Sequence, residues 1–382
     1  MNEPLRTEEL DYDLPESAVA TRPAEPRDSA RLMVVERAGS GVSHRHVRDL
    51  AELLRAGDLL VFNRSRVVPA RFVGRREGTG GRVEGLYLRD AESGPGTGGG
   101  LRWVVLLRSA HLRPGAEVEL VAGVRLRVVG RSEDEPQGWE VEVSGEASVG
   151  ASEAVLGAVG STPLPPYIRR ARKLRGEAEE DGSDRERYQT VYAEEVGSVA
   201  APTAGLHFTR ELLSRLDGIG VEQREVVLHV GAGTFRPVEA ATLQEHPMHC
   251  ERFEVPQETR EAVSRAKREA RRVIAVGTTT VRALESMESM DAAGEIGPRQ
   301  TRILIAPGWR FRWVDGLMTN FHLPRSTLMA LVGAMLEAGG ADAGGSGASA
   351  VGGGVSRLRA CYAEAIARGY RFYSYGDAML IV

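Results

Sequence analysis

Two runs of small, uncharged residues between Tyr188 and Phe235 each carry a histidine. The first is Gly197-Ser-Val-Ala-Ala-Pro-Thr203-Ala-Gly205-Leu-His207-Phe208-Thr209, flanked by Glu195 and Arg210. The second is Leu228-His229-Val-Gly-Ala-Gly233-Thr234-Phe235. Small residues let a backbone approach a bound molecule closely, and the Thr203 and Thr234 hydroxyls can donate or accept. An imidazole in such a setting titrates near neutral pH, which suits a general acid or base. A charge-free lining with sparse polar groups fits a small-molecule pocket. A pair of buried Ala/Gly strands with two structural histidines fits the same composition.

Three further segments carry candidate chemistry. Gly277-Thr278-Thr279-Thr280-Val281-Arg282 follows an apolar strand pattern and opens a helix. Its free amides suit a carboxylate or phosphate, with Arg282 near enough to pair with it. A plain capped helix is the other reading. The P-loop spacing and its lysine are absent. Met318-Thr-Asn320-Phe-His322-Leu-Pro-Arg-Ser326 is an uncharged turn in which Asn320 and His322 either read a ligand edge or cap the following helix. His246-Pro-Met-His249-Cys250-Glu251 tempts a metal reading, but Pro247 disfavours a helix presenting both imidazoles, and no metal is expected. Neither G-x-S-x-G nor H-E-x-x-H occurs, so neither hydrolase class is supported.

The elements that must position these groups change in texture along the chain. Arg31–Val35 has strand length, an amphipathic helix is expected with Val47, Leu50, Leu53 and Leu54 on one face, and Asp58–Asn63 reads as a buried strand. From about Val67 to Val149, short alternating runs such as Trp103–Leu107, Val118–Val121 and Trp139–Val143 are broken by glycine-rich turns, which predicts an antiparallel barrel or sandwich. Beyond a charged stretch, Arg169–Arg187, strand and helix patterns alternate. The expected order is a helix capped by Thr209, strand Val226–Val230, helix 258–271, strand Val273–Val276, helix 280–289, strand Arg302–Ala306 and helix Thr327–Leu336 capped by Ser326. That alternation predicts an α/β sheet with crossover helices. Residues 339–354 read as a Gly/Ala/Ser linker.

Composition bounds the function. The chain has 382 residues, 42% hydrophobic and 27% charged, which describes an ordinary globular protein with room for two domains. Cys250 and Cys361 are too far apart for a C-x-x-C site, and no signal peptide is visible, so a reducing cytoplasm is expected with no membrane contact. Net charge is −4, but only Lys173 and Lys267 are lysines; the other 47 of the 49 basic residues are arginine. Compositional bias explains this simply. Arginine also matches phosphate geometry wherever it clusters, as at Arg64-Ser-Arg66 and Arg169–Arg172.

Eight ordered segments resemble the signatures of the S-adenosylmethionine:tRNA ribosyltransferase-isomerase family of queuosine biosynthesis. They are Tyr12-Asp-Leu-Pro15, Val67-Val-Pro-Ala-Arg71, Pro163–Ile168, Tyr188–Tyr192 running into the first histidine run, His246-x-x-His249-x-Glu251, Gly277–Arg282, Thr319–Leu328 and Ser374–Leu380. The resemblance implies a mixed-sheet α/β main domain with an inserted small antiparallel β-barrel domain, placed at 1–65 and 161–382 for the former and 66–160 for the latter. It implies transfer and isomerisation of the ribosyl group of S-adenosylmethionine onto 7-aminomethyl-7-deazaguanine at the tRNA wobble position, giving epoxyqueuosine, adenine and methionine. No cofactor beyond that co-substrate is implied, and a cytoplasmic monomer is expected.

On that resemblance His207, His229 and His322 are the catalytic candidates. Tyr188, Tyr192, Thr203, Gly205, Phe208, Gly233, Thr234, Phe235, Thr278, Thr279, Arg282 and Asn320 are expected at the substrate, and Arg64, Arg66 and Arg71 at the tRNA. Asn63-Arg64-Ser65-Arg66 departs from the family's usual Asn-Asp-Thr-basic pattern, an arginine standing at an acidic position. Two other readings follow from it: a paralogue acting on another acceptor, and a catalytically silent RNA-binding module.

Overall fold

The computed structural model describes residues 4–91, 100–110, 112–135, 137–145, 151–231, 238–287, 298–337 and 353–382. The first strands are β1 (Arg31–Val35), β2 (Val42–His46), β3 (Leu59–Asn63) and the short β4 (Ser65–Val67). Next come β5 (Arg71–Arg76), β6 (Arg82–Asp90), β7 (Arg102–Arg108), β8 (Glu117–Glu119), β9 (Arg125–Arg131) and β10 (Trp139–Ser144). The remaining strands are β11 (Glu195–Ser198), β12 (Glu222–Leu228), β13 (Glu251–Glu254), β14 (Val273–Val276), β15 (Arg299–Thr301), β16 (Gly316–Asn320) and β17 (Ala378–Ile381). The helices are α1 (Leu50–Leu53), α2 (Ser152–Val159), α3 (Pro166–Leu174), α4 (Asp184–Arg187), α5 (Arg210–Gly218), α6 (Gln257–Arg268), α7 (Thr278–Glu285), α8 (Thr327–Glu337) and α9 (Gly353–Ala367).

A mixed sheet runs β15-β13-β12-β3-β14-β16-β17-β1-β2. Its centre, β12-β3-β14-β16, is parallel throughout, and helices cover both faces. Parallel strands buried on both sides need continuous apolar runs, which is what Leu59-Leu-Val-Phe62 and Val273-Ile-Ala-Val276 provide. Alternate side chains of β3 enter different cores. Leu59 and Val61 pack with Val263, Ala266, Met329 and Leu358, while Leu60 and Phe62 pack with Leu50, Leu212 and Leu216. Thr209 caps α5 by accepting the Leu212 amide at 3.1 Å, aiming Leu212 and Leu216 inward.

The other expected unit is a closed antiparallel barrel, β10-β7-β6-β5-β8-β9. Phe72 lies opposite Gly85, where an added Cβ would come within 2.0 Å of its ring, so glycine is what lets that ring fill the barrel. Val155, Leu156 and Val159 of α2 complete this core, and Trp103 Nε1 donates to Ser152 Oγ at 2.8 Å.

One polar contact ties the barrel to the α/β body, and another braces the helices beside that joint. Gln189 accepts from the Val67 amide at 2.9 Å and donates to the Val67 carbonyl at 3.0 Å, as a neighbouring strand would. Arg172 of α3 grips Asp184 of α4 with two bonds of 2.6 Å, side chains 1% and 2% exposed, and also donates to the Thr21 carbonyl at 3.0 Å.

Several expected elements differ. The helix after Val47 is a 3-10 turn, Val47–Asp49, and the single turn α1. The two mid-chain helices are α6 and α7, each ending earlier than the pattern suggests, and the strand expected to reach Val230 stops at Leu228. Arg302–Ala306 forms no strand: Ile303, Leu304 and Ala306 pack on the core from irregular backbone, and pairing is confined to Arg299–Thr301. The linker expected at 339–354 lies almost wholly outside the described residues.

Arg172→Ala should destabilise the fold by about 3–5 kcal/mol in urea melts, because it leaves the Asp184 carboxylate buried without its partner. Adding Asp184→Ala should recover part of that loss.

Candidate functional site

Four neighbouring parallel strands end together, at Leu228, Asn63, Val276 and Asn320. Ligands of open α/β sheets bind in the crevice beyond such carboxyl ends. At Asn63 the side chain holds this edge in place. Its Oδ1 accepts the Ser65 and Leu228 amides, both at 3.1 Å, while Nδ2 donates to the Leu228 carbonyl at 2.9 Å and to Thr279 Oγ1 at 3.3 Å. After β14 the chain turns at Gly277, whose φ of +96° is a conformation other residues resist, and α7 opens on Thr278 and Thr279.

A cavity of about 60 Å³ lies at this edge. Residues 200–204 form one wall, Gly277, Thr278 and Thr279 the helix-opening side, and 319–323 the floor, with Tyr167, Tyr373 and Ser374 closing it. Its volume is below the ~300 Å³ of ordinary ligand pockets, so a nucleoside-sized molecule occupies only part of itself there unless side chains move.

A polar relay runs along one side. Thr203 Oγ1 donates to Asn320 Oδ1 at 2.8 Å, which turns the Asn320 amide nitrogen toward His207 Nε2 at 3.1 Å. In that arrangement His207 accepts at Nε2 and carries its proton on Nδ1. His322 lines the cavity, its Nε2 sharing a 2.8 Å bond with Thr319 Oγ1. Its backbone is clamped: the amide donates to Tyr362 Oη at 2.9 Å, and the Tyr12 hydroxyl donates to its carbonyl. Tyr167 and Ser374 share a 2.6 Å hydroxyl bond across the cavity mouth.

Burial, not spacing, sets the charge state of the histidines. It lowers the His207 pKa to about 4, only partly opposed by Asp377, and that of His322 to about 3. Burial also lowers the pKa of His229, whose Nδ1 has no hydrogen-bond partner among the described residues. Burial thus moves all three imidazoles below the near-neutral range expected of them and favours their uncharged forms.

Thr203, Thr278, Thr279, Asn320 and His322 meet at the cavity, and His207 stands one bond behind Asn320. His229 lies beside Val230, a lining residue, with its ring against Gly197. Other expected ligand contacts belong to the core. Phe208 meets Phe62 edge-on, Tyr192 packs on Phe62, Tyr188 packs on Tyr375, and Gly205 is the space that admits the Tyr192 hydroxyl. Arg282 does not line the cavity, because a buried ion pair with Glu251 holds its guanidinium. That pair also takes Glu251 out of the His246/His249 cluster, and no group of three metal-ligating side chains occurs among the described residues. Gly233, Thr234 and Phe235 lie outside the described residues. Tyr167, Tyr373 and Ser374 complete the cavity without having been expected there, although they flank or sit in the segments Pro163–Ile168 and Ser374–Leu380.

The three expected tRNA arginines separate. Arg64 pairs with Glu225 at 3.5 Å and Glu194 at 3.7 Å, and Arg71 is held by Glu84 and Glu180. Arg66 is exposed, with no carboxylate partner among the described residues.

Fold and site together define a class: an α/β protein with an inserted barrel and an uncharged crevice at its strand ends. The family model described as "Queuosine biosynthesis protein" matches residues 7–381, and the chain belongs to that family. Similar proteins are the S-adenosylmethionine:tRNA ribosyltransferase-isomerases of Thermus thermophilus (47% identical, 98% of this chain and 99% of that one) and Desulfitobacterium hafniense (43%, 99% and 100%). The crystal structure of the S-adenosylmethionine tRNA ribosyltransferase of Thermotoga maritima is similar with a TM-score of 0.50, 31% identity, and coverage of 98% of this chain and 100% of that one. Among the described residues no helix is long and apolar enough to cross a membrane.

Asn63→Leu should destabilise the protein by about 3 kcal/mol in thermal or urea melts, since it leaves the buried Leu228 amide and carbonyl unbonded. The histidines add a pH dependence. With folded pKa values below the unfolded value, the unfolded chain binds more protons, so stability falls as pH drops from about 6.5 toward 4. His322→Gln should flatten that slope relative to the native protein; an unchanged slope would show that His322 is not a buried neutral group.

Proposed function

We propose that this protein moves the ribosyl group of S-adenosylmethionine onto tRNA and isomerises it. The acceptor in this reading is 7-aminomethyl-7-deazaguanine at the wobble position, and the products are epoxyqueuosine, adenine and methionine. The observation that carries the reading is end-to-end similarity at 43–47% identity to enzymes named for that activity, joined to a crevice lined by one neutral imidazole, His322, with a second, His207, bonded behind Asn320.

The chemistry fits these groups in a definite way. A sulfonium acidifies the adjacent sugar carbon, and an uncharged imidazole is the form able to accept that proton. Of the three histidines His322 alone lines the cavity, so it takes the role of base. Burial disfavours its charged form, so once protonated His322 can return that proton to the departing adenine. His207, whose Nε2 accepts from Asn320, stands behind the cavity and positions that amide. Thr278 and Thr279 offer amides at the start of α7 for the methionine carboxylate; Arg282 is left to its structural pair. A paralogue with a different acceptor gains nothing from Arg64, whose charge is matched by Glu225 and Glu194 outside the cavity.

Incubation with S-adenosylmethionine and tRNA bearing the deazaguanine base should release adenine and add mass to the tRNA. Binding of that tRNA without adenine release would overturn the reading. His322→Gln should lower adenine release by about 10²–10⁴-fold with S-adenosylmethionine still bound. Near-normal turnover would remove His322 from the chemistry and leave His207 or His229 to be tested.

A further inference from the structure

A second and larger hollow, about 370 Å³, lies where the barrel joins the α/β body. We propose that it seats the phosphodiester backbone of the RNA acceptor, with Arg66, Arg185 and Arg210 as its cations; the inference rests on the tRNA reading above.

The first argument is charge. Four arginines line the hollow, Arg27, Arg66, Arg185 and Arg210, against two carboxylates, Glu153 and Glu186. Arg66, Arg185 and Arg210 are exposed and have no carboxylate partner among the described residues. Arg27 donates only to backbone carbonyls, to Gln189 at 2.6 Å and Glu186 at 3.0 Å. Nearby arginines are treated differently: Arg64, Arg71, Arg169 and Arg187 each hold a carboxylate. Unpaired guanidiniums converging on one concave surface leave positive charge for phosphates.

The second argument is the floor. Thr190 lines the hollow, is 5% exposed, and its hydroxyl has no hydrogen-bond partner among the described residues. A buried polar atom without a partner is costly unless a ligand or water serves it.

The third is position. On the far side of this floor lies the cavity: Tyr188 packs on Tyr375, the neighbour of Ser374, and the Thr190 methyl faces Gly205, next to the 200–204 wall. Tyr188 and Thr190 thus line the hollow and also touch residues beside the cavity. An RNA loop seated in the hollow lies next to the cavity, and loop nucleotides can unstack a single base.

The test uses the full chain, with Arg185 and Arg210 both replaced by Ala and a second variant replacing both by Lys. Binding of a fluorescent anticodon stem-loop RNA carrying 7-aminomethyl-7-deazaguanine at the wobble position is followed by anisotropy across a salt series. The alanine variant should bind about tenfold or more weakly, with the log–log salt slope shallower by about 1.4, roughly 0.7 for each lost phosphate contact. The lysine variant should recover most of the affinity, S-adenosylmethionine binding should be unchanged, and KM for tRNA should rise more than kcat falls. Native affinity and slope in the alanine variant would overturn the proposal while leaving the tRNA reading intact. Failure of the native protein to bind the RNA at all would overturn both.

Discussion

One buried carboxamide holds the working edge of the sheet. Asn63 ends β3, bonds both backbone groups of Leu228 on β12, reaches Thr279 on α7, and accepts the Ser65 amide that begins β4. Those four bonds fix the ends of two parallel strands, the opening of a helix and the root of the barrel relative to one another. Because β4 pairs with β11, the same anchor reaches the chain that leads to Thr203 and His207. An acid at position 63 would lose the donor, and an apolar residue would lose all four bonds, so an amide is the group this junction demands.

The protein separates its arginines into two populations. Arg172 is sunk against Asp184 and locks α3 to α4, and Arg64 and Arg71 are matched by glutamates at the joint. The Gln189 carboxamide holds the segment Tyr188–Val191 against β4. The joint is thus internally neutral where it carries structure, and positively charged where it faces outward.

Much of this fold is legible in the residues because burial on both faces demands uninterrupted apolar runs, as at Leu59–Phe62 and Val273–Val276, and because barrel strands must alternate. Ile303–Ala306 misleads for the same reason: a short apolar run fits a strand or an irregular chain laid on a core equally well. Thr278, Thr279, Asn320 and His322 are readable at the site since each directly follows or ends a strand. Tyr188, Tyr192 and Phe208 are not, because an aromatic in a small-residue segment gives no sign of whether it faces a ligand or the core. The closure by Tyr167 with Tyr373 and Ser374 joins residues some 200 positions apart, and the depressed basicity of the histidines comes from burial that only the assembled fold creates.

The titratable groups that line the cavity are His322, Tyr167 and Tyr373. Burial holds the first near pKa 3, pushes the last up to about 12, and raises Tyr167 as well. Across the range of acidity a living cell experiences, none of these groups changes charge. Among the described residues the crevice therefore meets its ligand with neutral side chains, and the charge that decides the encounter is the charge the ligand carries in.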